Sequence, residues 1–439
     1  MNKLTPVKAA DTTGCRADAH EMPWHAVARV GPYENDEKWI MAVTVPTETA
    51  LKQTRGFQWG QVPSMPGQRL PEQALSRADV AAPPEPDLGA IASFTGTFKG
   101  AGFSTIFRPQ DFAVTPTSLP APAHGPNDNI LELNLTEETL SFSAALGSIP
   151  NRGMVQGDVF LNGIPYLQTI NDVSDPAQPV GIHFEPGVWL SVPPTDVPAE
   201  AASLVRMASI PHGTTIEALG TSFAVAGGPV IKPVDITPFP VNTPLPINPA
   251  ALIRFPSQTA ADTGTFRVPQ DLTNFIAAGT ITQAILDNPN LVIQTRAAAQ
   301  NITSTTVIVI DTNPIVPLFG GGTDNIPFLL GDTAAAAPNA NAIRMTAIFW
   351  IETVTEKITV PPCKPDQPAV VQGDTSAGNP AVSFEVTPAA ETNEDTQIDV
   401  TYTQLQYTQT VFLNFNGLTW PHVSVATLVP SDPVPVALP

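Results

Sequence analysis

The dipeptide Asn416-Gly417 fixes more of this chain's geometry than any other pair of residues. Extended runs flank it on both sides, Thr408-Gln-Thr-Val-Phe-Leu-Asn-Phe415 and Leu418-Thr-Trp-Pro-His-Val-Ser-Val-Ala-Thr-Leu428. A two-residue hairpin turn needs φ > 0 at both positions, which Asn-Gly supplies at low cost. The turn sets the register: Phe415 opposes Leu418, Leu413 opposes Trp420, Val411 opposes His422 and Tyr407 opposes Ala426. Directly opposed residues share a face. The face carrying Leu405, Tyr407, Gln409, Val411, Leu413, Phe415, Trp420, His422 and Ser424 has the larger apolar groups and is expected to point inward. The other face carries Gln406, Thr408, Thr410, Asn414, Val423 and Val425. His422 is then an imidazole facing a mostly apolar interior, where it requires a hydrogen bond, a ligand or a metal.

Composition points to the same class. The chain has 49 prolines among 439 residues, which argues against helical repeats and for short strands joined by Pro- and Gly-punctuated loops. Strand candidates include Ala92–Phe98, Gly102–Phe107, Ile130–Leu135, Leu140–Ala144, Gly157–Leu161, Ile164–Ile170, Gly181–Val192, Ser203–Ile210, Thr214–Ala224, Ser304–Asp311, Ala342–Thr353 and Gln397–Leu405. Pairs separated by Gly predict an antiparallel meander rather than βαβ crossovers. Residues 1–90 read as an N-terminal arm holding Trp24, Trp39 and Trp59, with a strand at Ile40–Val45 and a short helix at Glu48–Thr54. Such an arm packs on the main domain or on a neighbouring subunit. Residues 91–225 form the first half of a barrel and 226–300 a Pro-rich, partly helical insert, with helices at Pro269–Ala278 and from Asn288-Pro289 toward Gln300. Residues 301–430 complete the barrel and 431–439 are a tail.

A net charge of -20 argues against nucleic acid and anionic membrane surfaces as partners. No apolar run reaches the length of a membrane span. The two cysteines, Cys15 and Cys363, are far apart and fit a reducing, cytoplasmic setting. No C-x-x-C, G-x-S-x-G, H-E-x-x-H, P-loop or Rossmann pattern occurs. Glu137-Glu138 and Glu394-Asp395 read as solvated turns.

The segment Phe94-Thr-Gly-Thr-Phe-Lys-Gly-Ala-Gly-Phe103 punctuates a strand with Gly96, Gly100 and Gly102, as a sharply bent barrel strand requires. It resembles the G-x-W-x-G-x-G-x-G strand of the nitrobindins, heme-binding calycin-like barrels, with Phe98 at the Trp position and Phe103 at the last Gly. His183-Phe-Glu-Pro-Gly-Val-Trp-Leu190, Pro211-His-Gly-Thr-Thr-Ile-Glu-Ala-Leu-Gly220 and the terminal Pro421-His422-Val423 are similar to later family segments, in family order. The likeness covers about a third of the chain and leaves out the arm and the insert. It implies an all-β, antiparallel calycin-like barrel of about ten strands. It further implies heme b on His422 as iron ligand, with Tyr407, Val411, Leu413, Trp420, Phe98 and Gly100 around it. His183 or His212 would sit on the distal side, and Arg108 or Lys99 would meet a propionate. Family members bind nitric oxide and isomerise peroxynitrite, so the resemblance implies a peroxynitrite isomerase-like or weakly peroxidase-like activity on a small diatomic or oxidant. The residues alone leave His422 equally readable as a hydrogen-bonded interior histidine, and Arg108 as a salt-bridge partner. Two alternatives stand beside heme: a metal-free barrel binding an apolar small molecule, and an assembly protein whose Trp-bearing arm clasps a second copy in a homo-oligomer.

Overall fold

The computed structural model describes residues 86–110, 128–244, 246–314, 320–331, 339–375, 380–415 and 417–438. The expected arm up to residue 85, its strand and helix, Cys15 and Asn416 lie outside the described residues.

Ten long strands carry the architecture: β1 Thr97–Gln110, β2 Asp128–Phe142, β3 Val159–Asp172, β4 Val180–Val192, β5 Ser203–Ile210, β6 Thr214–Ala226, β7 Ile302–Asp311, β8 Asn339–Val360, β9 Thr396–Phe415 and β10 Leu418–Pro430. Each pairs antiparallel with the next in sequence. The ladder between β1 and β10 closes the ring. The result is an up-and-down β-barrel, and closure removes the exposed edges that an open sheet would present. The β9–β10 register is the one set by the turn: Phe415 with Leu418, Leu413 with Trp420, Val411 with His422, Tyr407 with Ala426. Gly417 has a φ of 76°, as the turn chemistry demands.

Several local readings change. Ile130–Leu135 and Leu140–Ala144 merge into one continuous strand, β2, and Gly157–Leu161 and Ile164–Ile170 into another, β3. Ala92–Phe98 does not form one strand. Gly89–Ser93 makes a 3-10 turn, and Gly96 at φ 68° interrupts the chain before β1. That turn drives Ile91 and Phe94, 0% and 1% exposed, into the core. Glu137-Glu138 is not a turn either. Both residues sit within β2, paired with β1 and β3, and Glu138 is buried. Hydrogen bonds from Thr136, Gln168 and Tyr407 give its carboxyl the partners that water would otherwise supply.

Inside the barrel lies an aromatic core that includes Phe94, Phe98, Phe142, Trp189, Phe349 and Leu428. Phe94 stacks on Phe142 at 4.7 Å, and Trp189 meets Phe349 edge-on at 5.2 Å. A second core lies outside the wall. The segment between β6 and β7 holds helices α1 Thr273–Ala278, α2 Gln283–Asp287 and α3 Leu291–Ala298. It packs its apolar residues on Phe103, Phe107, Leu131, Leu133, Val423 and Val425. The polar face of β9 lies beneath this layer and is buried too. Thr408 donates to Asn290 at 2.6 Å, and Gln406 donates to Thr427 at 2.8 Å. Arg267 donates to four carbonyls of the same segment, those of Ser257, Thr259, Ala260 and Asp262. Beyond the far ends of β8 and β9, a three-stranded sheet of Ala369–Gln372, Ser383–Pro388 and Val434–Leu438 forms a third apolar cluster around Phe384 and Tyr402.

Candidate functional site

Alternation sends one face of each strand inward, and position along the strand divides that interior into two halves. On β9, Leu405 belongs to the aromatic core, whereas Gln409, Val411, Leu413 and Phe415 line a cavity of about 290 Å³; Tyr407 belongs to both. On β10, Ala426 and Leu428 are core and His422 and Ser424 are cavity wall. On β1, Phe98 is core and Ser104 and Ile106 are wall; on β3, Ile164 and Tyr166 are core and Gln168 and Ile170 are wall. The rim is completed by Ile182 and His183 of β4, His212 and Thr214 at the β5–β6 turn, and Leu329 of helix α4, Pro327–Leu330. The wall interleaves aliphatic side chains with uncharged polar ones and contains no Lys, Arg, Asp or Glu among the described residues.

Three imidazoles face this space: His183, His212 and His422. The Nε2 atom of His422 lies 3.3 Å from the Ser104 hydroxyl, which in turn lies 3.1 Å from the hydroxyl of Ser424. Burial lowers the His422 pKa, and the proximity of His183 and His212 adds to this, taking it to about 4. The ring is therefore uncharged at neutral pH. His183 Nε2 lies 3.1 Å from the Glu185 carboxylate, and His212 Nε2 lies 3.0 Å from the carbonyl oxygen of Ile182.

Ionised groups lie behind the wall. Arg206, 1% exposed, donates to Glu185 at 2.5 Å, to the Tyr166 hydroxyl at 2.8 Å and to Gln409 at 2.7 Å. Tyr166 also donates to Glu185. Burial pushes the Glu185 carboxyl up, but Arg206, His183 and Tyr166 more than reverse this and hold it at about 2. Burial likewise opposes the Arg206 charge, and Glu185 beside it raises the guanidinium pKa overall. Glu138 differs. Burial raises its pKa against the hydrogen bonds from Tyr407, Thr136 and Gln168.

Six of the residues singled out in the sequence surround the cavity: His422, Tyr407, Val411, Leu413, His183 and His212. Four do not. Trp420 shares the parity of His422, yet its indole lies on the outer side. The β1 ladder ends at Thr105–Val423, and β10 there pairs instead with Phe239–Pro240. Trp420 then packs between Phe107 at 4.9 Å and Phe255 at 5.2 Å. Phe98 lies in the aromatic core, 6.1 Å from Phe142. Gly100 serves close strand approach, since a Cβ there would meet the Thr427 carbonyl oxygen at 1.9 Å. Arg108 is not part of the cavity wall; its charge acts on Glu132, whose pKa burial raises. Lys99 is exposed, and Arg152 pairs with Asp158 on the surface. Glu185, Arg206, Glu138 and Ser104 escaped the sequence reading. Glu185 carried a signal, because it stands two residues from His183 on a strand and so shares its face.

No protein-family model and no curated protein matches the sequence. Among solved structures, the crystal structure of Rv2717c from M. tuberculosis aligns with 80% of this chain and 100% of its own, at 9% identity and a TM-score of 0.30. A likeness of that size assigns neither family nor activity. The ten-stranded closed meander itself is consistent with a calycin-like barrel.

Proposed function

We propose that this barrel binds a compact, uncharged and largely apolar molecule in the cavity bounded by His422, Val411 and Ile216. The observation that carries this reading is the composition of the wall: aliphatic side chains interleaved with uncharged polar ones and imidazoles, and no Lys, Arg, Asp or Glu among the described residues. Pockets for drug-sized ligands run from about 300 to 1,000 Å³. A cavity of about 290 Å³ therefore suits a smaller guest. Of the buried acids and bases that touch wall residues, Glu185 and Arg206 pair with each other, and burial pushes Glu138 toward its neutral form. Calorimetric titration of the full chain with 4-ethylanisole tests the reading. Binding is expected, and Val411→Trp, which fills the cavity, should weaken it about ten-fold or more. Absence of binding to the unsubstituted protein by this ether and by the corresponding phenol, 4-ethylphenol, alike overturns it.

A second reading, heme b on His422 handling a diatomic or a peroxide, is favoured by one observation: the imidazole is uncharged and set among apolar groups, as an iron ligand must be. The remaining residues do not fit a porphyrin. The cavity is at the lower limit for drug-sized guests, the wall offers no cation to a propionate, and His422 Nε2 is engaged by Ser104. Hemin titration separates the readings: a Soret band lost in His422→Ala supports iron ligation, and a spectrum indifferent to that substitution supports the metal-free barrel.

A further inference from the structure

The rim imidazoles His183 and His212 share a constraint. Each has Nε2 against a group that can only accept a hydrogen bond: the Glu185 carboxylate at 3.1 Å and the Ile182 carbonyl at 3.0 Å. Nε2 therefore carries the proton in both rings, and in the neutral imidazole Nδ1 is then a lone-pair acceptor. The two rings lie 5.8 Å apart, centroid to centroid, on one stretch of the cavity wall. A serine or threonine hydroxyl can rotate to suit whatever approaches it. These nitrogens cannot, because their partners fix the tautomer.

The hydroxyl donors nearby are already committed elsewhere. Thr214 donates to Asn325 at 2.9 Å, Thr323 to the Ala342 carbonyl at 2.7 Å, and Tyr407 to Glu138 at 2.6 Å. This part of the wall thus presents acceptors with few free donors. A guest whose polar group only accepts would lose its water and meet few donors there, whereas a hydroxyl or N–H would replace its hydrogen bond to water.

We infer that the cavity selects apolar molecules bearing a hydrogen-bond donor, such as a phenol, an alcohol or an N–H heterocycle, which Nδ1 of His183 or His212 accepts. This inference rests on the barrel being a small-molecule binder, as proposed above. It adds the chemical class of the guest and assigns its recognition to the two rim histidines.

The test compares 4-ethylphenol, 4-ethylanisole and 4-ethylbenzoate by calorimetry on the full chain, at about pH 8, where an ordinary imidazole is neutral. The phenol is expected to bind about five-fold tighter than its methyl ether, the worth of one net hydrogen bond. His183→Phe and His212→Phe should each narrow that ratio of phenol to ether affinity, whatever the larger ring does to the binding of both guests. Retained ether binding also reports that each variant is folded. Equal affinities of phenol and ether in the unsubstituted protein overturn the inference and leave the small-molecule barrel standing. So does tightest binding of the benzoate, which has no donor at that pH. If phenol and ether both fail to bind, the barrel reading falls, and this inference falls with it.

Discussion

The Tyr407 hydroxyl donates to the Glu138 carboxylate at 2.6 Å, joining β9 and β2 across the barrel although the two strands share no ladder. Gln168 on β3 donates to both groups, at 3.1 Å to Tyr407 and 3.2 Å to Glu138. Tyr407→Phe removes one donor from a buried carboxyl and leaves the ring in place. A loss of about 1–2 kcal/mol is expected, read from the urea midpoint at constant m-value. An unchanged midpoint would show that Gln168 and Thr136 alone satisfy Glu138.

The Glu185–Arg206 pair should be far more sensitive to losing one partner than to losing both. Arg206→Met strands a buried carboxylate and should cost about 3–5 kcal/mol. Adding Glu185→Gln to it should recover a substantial part of that loss. The pH dependence has a definite sign. Glu185 is held at about 2 in the folded chain against an ordinary value of 4.5. Its contribution is therefore present above 4.5 and is lost as pH falls toward 2. Over that window it amounts to about 3 kcal/mol. Denaturation midpoints of the Glu185→Gln chain should lack this acid-side decline.

Glu352 should act in the opposite direction. It is 1% exposed, accepts a hydrogen bond from Gln404 at 2.6 Å and has its Oε1 atom unpartnered among the described residues. Burial raises its pKa from 4.5 to about 7, with the Gln404 hydrogen bond opposing. Between those values the unfolded chain ionises and the folded chain keeps its proton. Stability therefore falls as pH rises through the window, by about 3 kcal/mol in total. Glu352→Gln should flatten this slope. If the two chains show the same pH profile from about 5 to 8, Glu352 is ionised in the fold.

His422 should stay neutral far below the usual histidine range. Its ring resonances in NMR are expected to move only near pH 4, the value set by burial and by His183 and His212. A shift between about pH 6 and 7, as for a free imidazole, would place the ring in contact with bulk water.

Two glycines of the first-strand motif should respond differently to alanine. At Gly100 a Cβ would lie 1.9 Å from a backbone oxygen of the neighbouring strand, so β1 and β10 must separate. The expected cost is about 2 kcal/mol or more. At Gly96 there is open space but φ is 68°, and the backbone penalty alone should be about 1 kcal/mol. Thermal midpoints of the two variants should rank accordingly.

Much of this architecture is legible because strand periodicity and turn chemistry are local. Asn416-Gly417 specifies four opposed pairs, and all four occur. Asn288-Pro289 reads as an N-cap followed by the first helical residue, but Asn288 ends α2 and α3 begins two residues later, at Leu291 behind Asn290. The same alternation fails at Trp420, because parity assigns a face only while a strand stays in its ladder. It also fails at Glu138, which reads as a turn residue in a run of polar neighbours, yet its satisfying partners Gln168 and Tyr407 lie 30 and 269 positions away. Arg206 is comparable: nothing within its own strand announces Glu185, Tyr166 and Gln409. Long-range polar networks leave no periodic trace in a sequence, and the floor of the cavity is built from them.

That floor has a kinetic consequence. Beneath Gln168, Tyr407 and Gln409 the lumen is filled by the aromatic core, so among the described residues arrival and departure lead past the rim of His183, His212 and Leu329. The lifetime of a bound molecule is then governed by how readily that rim parts. Substitutions at Leu329 should change the dissociation rate and the association rate together, with little effect on the equilibrium constant.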